Sequence, residues 1–205
     1  MTDRKINNNI ITGSGITAML LVLLCILSGL LLAGCSETHS IAEEAVMEQL
    51  ESMRYIEFEE ASAEELLSML SDEGRDHFYE FKEKAGKYDY EILGSSEAGD
   101  DATIVTVQIK TYSFGRIYLE TWADYLESTD ASGSKNDGSG DQAIFYEALM
   151  KNLSEADDKN YIAEVEILCG VPDGTGEMQT DALTNAPLRD AIFGGMLTEI
   201  ASLAG

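Results

Sequence analysis

Five side chains in this sequence have the intrinsic chemistry of a nucleophile, a general base or a soft metal ligand: Cys25, Cys35, Cys169, His39 and His77. Their spacing forms no zinc set. The chain carries no G-x-S-x-G elbow, no P-loop and no dinucleotide fingerprint. His77 stands on a polar helical stretch ahead of Phe78, with no serine or cysteine constellation aimed at it, so a structural or solvated role is expected. Asp130, Asp137 and Asp141 lack the spacing of an EF-hand. Carboxylates are abundant, but no feature of the sequence selects one as a base. No catalytic residue, no metal site and no cofactor is therefore assigned. Aromatic side chains are the better lead. Trp122, Tyr88, Tyr90 and Tyr112 combine an apolar body with a polar tip, which suits ligand capture. The competing expectation for each is a place in the core.

Cys35 is the cysteine with a legible context. Arg4 and Lys5 make a positive start, and Ala18 to Leu32 reads AMLLVLLCILSGLLL, the length of a signal-peptide apolar region. Ser28 and Gly29 loosen that helix ahead of the small pair Ala33-Gly34. The run Leu32-Ala33-Gly34-Cys35 resembles the lipobox of bacterial lipoproteins. The resemblance implies diacylglycerol attachment to Cys35, cleavage just before it, and a chain held on the outer face of the cytoplasmic membrane by its acyl chains. The alternative is an uncleaved anchor, since Ile16 to Gly34 carries no charge and is nearly long enough to span a bilayer. Both readings put the remainder outside the cytoplasm.

Composition narrows the partners. Without residues 1–34, which hold Asp3, Arg4 and Lys5, the 205-residue chain keeps 171 residues with 11 basic and 37 acidic side chains, a net charge of −26. That length suits one domain with a real core. That charge repels phosphate backbones, so no nucleic-acid partner is expected. Anionic headgroups are repelled too, which leaves the membrane contact to the acyl chains. With Cys25 removed and Cys35 acylated, Cys169 has no partner for an internal disulfide. It alternates with Tyr161, Ala163, Val165 and Ile167 on one strand face, as a small buried hydrophobe would.

These residues need elements to position them. After a tether over 35–39, Ser40 and Glu43 form a capping box ahead of Ala42, Val46, Leu50 and Met53 at helical spacing. Ser62 and Glu65 repeat the box for a second short helix. A third is expected from about Asp72 to Ala85, ended by Gly86. The period then drops to two. Tyr88, Tyr90 and Ile92, followed across the turn SSEAGDD by Thr103, Val105, Val107 and Ile109, predict an antiparallel hairpin. Tyr118, Trp122 and Tyr125 mark another helix. Residues 127–141 hold no large apolar side chain and are expected to form a flexible loop. A helix near Gln142–Leu153, a strand Tyr161–Val171 and a weak strand near Glu177–Ala182 follow. One terminal helix is expected over Ala186–Leu203, with Asn185 as cap, Pro187 in its first turn and Gly194-Gly195 allowing close approach.

This order predicts an α+β fold: N-terminal helices packed on a curved, mainly antiparallel sheet, with a helical insertion and a C-terminal helix. The domain expected is 40–205. The hairpin YDYEILGSSEAGDDATIVTVQIKTYSFGRIY, the helix FGRIYLETWADYL and the terminal NAPLRDAIFGGML are similar to secreted lipoproteins of low-GC Gram-positive bacteria. Those proteins are largely of unknown function and share the cone-shaped fold of nuclear transport factor 2. Glu177-Met178-Gln179 stands where that family carries a tryptophan strand. With no catalytic constellation in the sequence, the role expected is that of a membrane-anchored module that binds a small ligand, a peptide or an envelope protein. The alternative, which resemblance to the cone-shaped fold leaves open, is a carboxylate-dependent isomerase or hydrolase working inside the cone.

Overall fold

The computed structural model describes residues 38–55, 60–99, 102–132, 139–171 and 177–204; the lipobox and Cys35 lie outside them. The chain divides into two units, Met1–Ile41 and Ala42–Gly205, and of the first only 38–41, the opening turn of helix α1, are described. Among the described residues no helix is long and apolar enough to cross a membrane.

Helix α1 covers 38–53, beginning two residues before the expected cap Ser40. Ala42, Val46 and Leu50 recur every fourth residue and are fully buried, which gives α1 the apolar stripe it lays on the sheet. Helix α2 is Glu60–Met69, beginning two residues before the expected cap Ser62, and α3 is Asp72–Ala85, where the pattern placed it. Ser71 caps α3: its Oγ accepts from the Gly74 N–H at 3.1 Å, satisfying one of the donors a helix start leaves open.

The hairpin is present as β1 (Asp89–Gly99) and β2 (Ala102–Thr111), joined in one sheet by β3 (Tyr161–Gly170) and β4 (Gln179–Thr180). All neighbours are antiparallel in the order β1-β2-β3-β4, and the sheet is open, not closed into a barrel. Val105, Val107, Ile109, Val165, Ile167 and Cys169 point to the packed face, against α1 and the helix α6 (Ala186–Ile192). Glu91, Lys110, Glu164 and Glu166 point to the exposed face. One dry face and one wet face explain the strict alternation in the sequence. Cys169 is fully buried, and burial pushes its thiol up to about 11, which keeps it neutral and unreactive.

The weak strand near Glu177–Ala182 shrinks to two residues. Past it, side chains finish the edge of β3. The Asp181 carboxylate accepts from the Leu168 N–H at 2.9 Å, the Asp181 N–H donates to the Leu168 carbonyl, and Asn185 Nδ2 donates to the Glu166 carbonyl at 2.9 Å. An edge that lacks a long partner strand is thereby satisfied without one.

Two expectations need correction. The polar stretch 127–141 is largely helical where described: α4 runs Phe114–Ser132 and α5 Ser139–Ser154, with 133–138 outside the described residues. A sequence with nothing to bury can still propagate a helix that packing has nucleated further along. The terminal helix is not continuous. It breaks into α6 and α7 (Met196–Ala204), because Gly194 and Gly195 take φ of +57° and +81°. The expected stripe of Leu188, Ile192 and Met196 is buried, but Ile200 and Leu203 beyond the break are exposed.

A second core cluster joins α3, α5, Phe114 and Met196. Phe81 and Phe114 meet edge to face at 5.2 Å between ring centroids. The observed class is α+β.

Candidate functional site

The expected ligand-facing residues fall into two places. Tyr88 is fully buried, its hydroxyl donating to the Leu50 carbonyl of α1, and burial pushes its phenol well above the usual range. Tyr90, two residues on, is half-buried against the same cluster. Across both rings lies a residue the sequence reading did not single out. The guanidinium carbon of Arg54 sits 4.9 Å from the Tyr88 ring centroid and 5.6 Å from that of Tyr90, within cation–π range. Its Nη1 donates to the Tyr88 carbonyl at 2.6 Å and to the Gly86 carbonyl at 3.4 Å, and its Nε to Glu51 Oε2 at 2.7 Å. The hydrogen bond to Glu51 holds the arginine's pKa above its ordinary value and the glutamate's below. Gly86 makes this junction possible, since a Cβ there would come within 2.2 Å of the Arg54 carbonyl oxygen. Arg54 is thus fixed before any ligand arrives.

Beside it opens a groove of about 520 Å³, lined by Arg54, Tyr55, Tyr79, Lys82, Gly86 and Lys87 with Glu83. Tyr55 is 85 % exposed and Tyr79 57 %. Lys87 Nζ is hydrogen-bonded to Glu83 Oε1, which raises the lysine's pKa and lowers the glutamate's. Lys82 is half-buried, and among the described residues no carboxylate lies within ion-pair reach of it. Lys84, on the same helix, donates to the Ala156 carbonyl and stands 5.6 Å from the Tyr112 ring centroid. Tyr112 in turn packs on Phe114 at 5.5 Å. So Tyr88, Tyr90 and Tyr112 each support a cation. The available signal was compositional: Arg54, Lys82, Lys84 and Lys87 are four of the 11 cations beyond residue 34, and three fall within six residues of an otherwise acidic chain.

Trp122 lies elsewhere, at the contact of α4 and α5. It meets Phe145 edge to face at 5.3 Å and Tyr125 at 5.7 Å. A groove of about 210 Å³ runs past these helices, lined by Thr121, Asp124, Tyr125, Ile144, Phe145 and Asn152 among others. Ile144 on its rim is 62 % exposed.

His77 does meet a serine, contrary to the sequence reading. Its Nδ1 lies 2.9 Å from Ser154 Oγ, with Glu80 at 3.5 Å and Glu73 at 4.0 Å from the ring nitrogens. The two residues are 77 positions apart, with no motif to announce the pair. Ser154 is only 5 % exposed, and its hydroxyl donates to the Lys151 carbonyl at 2.8 Å. A hydroxyl so engaged is a helix-end contact between α3 and α5, not a nucleophile open to substrate. Among the side chains whose burial is described no aspartate or glutamate is buried, and among the described residues no group of three His, Cys, Asp or Glu side chains could hold a metal ion.

No protein-family model matches the chain, and no curated protein does. Among solved structures it is similar to ycdA, a candidate lipoprotein of Bacillus subtilis subsp. subtilis str. 168, at 14 % identity and a TM-score of 0.48 over 78 % of this chain. The chain spans 58 % of that protein's length.

Proposed function

We propose that the chain is a lipid-anchored, extracytoplasmic binding module whose ligand carries negative charge and sits in the groove beside Arg54. Anchoring rests on Leu32-Ala33-Gly34-Cys35 at the end of the apolar N-terminal segment. Two acyl chains on Cys35 supply the two signals that stable attachment needs. The observation that carries the binding role is the clustering of Arg54, Lys82 and Lys87 with two exposed tyrosines, on a chain of net charge −25. A cationic recess in a strongly acidic surface is not what solubility requires, and it focuses the local field on anions. Binding is preferred over catalysis, since a carboxylate base tuned for proton transfer near neutral pH needs burial or a like-charged neighbour. Among the side chains whose burial is described, no carboxylate is buried.

The test is charge reversal at Lys82, which braces nothing in the fold. With the full chain purified in a non-ionic detergent, titration with diphenyl phosphate is expected to show affinity falling at least about tenfold in Lys82→Glu, equivalent to about 1.4 kcal/mol. The melting temperature is expected to stay near that of the parent. An unchanged affinity would overturn the reading.

A second reading moves the ligand to the α4–α5 face next to Trp122, whose indole does not itself line the groove there. It is favoured by the exposure of Ile144 beside Tyr125 and Phe145, which leaves room on the α4–α5 face for one apolar group.

A further inference from the structure

We propose that the groove selects a singly charged oxyanion joined to a flat apolar body, with Lys82 and Arg54 taking the head and Tyr55 and Tyr79 taking the body. This deepens the binding role above and rests on it.

Charge balance sets the head. Lys87 is matched by Glu83, and Arg54 by Glu51 at 2.7 Å. Lys82 is then the lining cation without a matching carboxylate among the described residues. One uncompensated positive charge suits one negative charge. A phosphomonoester, with about −1.5 to −2 near neutral pH, would bring surplus negative charge up to Glu83 and Glu51. The arginine's geometry narrows the head further. Nη1 and Nε are occupied by the Tyr88 and Gly86 carbonyls and by Glu51, so among the described contacts Nη2 is the nitrogen with no hydrogen bond. It offers one point of contact instead of the two-pronged fork that Arg presents when unengaged. Because Tyr88 and Tyr90 and the hydrogen bonds already hold the guanidinium, little ordering is required when the anion arrives.

The tyrosines set the body. Rings left 85 % and 57 % exposed in one groove are large amphipathic surfaces with few rotamers to fix. The volume of about 520 Å³ takes a small organic anion with its body inside. The chemistry shared by the possible ligands is therefore a carboxylate or a phosphodiester on an aryl or similarly apolar group.

Four probes separate head from body in the purified full chain: acetate, benzoate, dimethyl phosphate and diphenyl phosphate, each against a detergent blank. Benzoate and diphenyl phosphate are expected to bind at least about tenfold more tightly than acetate and dimethyl phosphate, as one stacked ring provides. Whichever aryl anion binds more tightly identifies the head, and either preference supports the proposal. Tyr79→Ala is expected to remove the aryl advantage while leaving the weak methyl-anion affinity in place. Lys82→Gln is expected to weaken all four. Tyr79 and Lys82 are surface positions on α3, so both variants should fold; circular dichroism and the melting temperature check this. If each aryl anion binds no better than its methyl counterpart, the selected body is refuted and anion binding stands. If none of the four binds at millimolar concentration, the anion-binding reading itself falls.

Discussion

Gly194→Ala is expected to destabilise the protein by about 3–5 kcal/mol, seen as a fall of about 8–15 °C in melting temperature. Two penalties combine. The backbone at Gly194 has φ of +57°, a conformation that costs an L-residue about 1–2 kcal/mol. A Cβ there would also lie 1.9 Å from the Tyr112 carbonyl oxygen and 2.8 Å from the Phe114 nitrogen. Both neighbours are backbone, so neither can rotate away. Since the Gly194 carbonyl accepts from the Gly115 N–H at 3.0 Å, the clash would prise the α6–α7 corner from the start of α4. Gly195→Ala is the control. Its φ is +81°, but its Cβ would meet the Tyr161 ring at 3.1 Å, a side chain with room to give, so the loss should be smaller. Equal melting temperatures for Gly194→Ala and the parent would show that the corner is not built this way.

Cys35→Ala is expected to abolish lipid attachment completely. In its own host, the parent chain should incorporate an alkyne fatty acid and remain with membranes after a high-salt wash. Salt removes proteins held by charge but not by acyl chains, each buried CH₂ of which contributes about 0.8 kcal/mol. The alanine variant should take up no label. Under the lipobox reading the variant either keeps precursor length or is shed; the label on the parent is what separates that reading from an uncleaved anchor, which would take up none. Equal labelling of parent and variant would exclude Cys35 as the attachment site.

Local pattern was the legible part of this fold. Alternation over Tyr88–Ile92 and again over Thr103–Ile109 specified the two strands, because one face of the sheet is dry and the other wet. The expected turn SSEAGDD did not hold its length, since Ser95–Gly99 pair with Ala102–Val105 as part of β1. The irregularity between Ile92 and Gly94, which shifts the β1 register by one residue, left no such trace. The span of α3 was equally plain, with Gly86 at its end, whereas its cap Ser71 emerged only in the structure. Gly194-Gly195 announced a close approach, but not that the helix would stop there. That decision belongs to the Tyr112 and Phe114 backbone, which arrives from 80 residues earlier. The candidate site was the least legible of all. Tyr88 and Tyr90 stood out by type, yet what gives them a role is Arg54, delivered by the end of α1, and its meeting with Lys82 and Tyr79 of α3 is purely tertiary. Charge counting over the whole chain hid the local excess of cations, because net charge averages over the surface while binding responds to the field at one place.

The most direct test of the account is to ask which tyrosines feel the ligand. The chain has nine, distributed between the groove, the core and the α4–α5 contact. With ring-¹³C tyrosine in the full chain and assignments from single Tyr→Phe variants, titration with diphenyl phosphate is expected to shift the Tyr55 and Tyr79 resonances most. Tyr90, behind Arg54, should follow more weakly, and Tyr118, Tyr125 and Tyr146 should stay in place. Shifts confined to Tyr118, Tyr125 and Tyr146, with Tyr55 and Tyr79 unmoved, would contradict the groove beside Arg54 as the binding site and transfer that role to the face carrying Trp122.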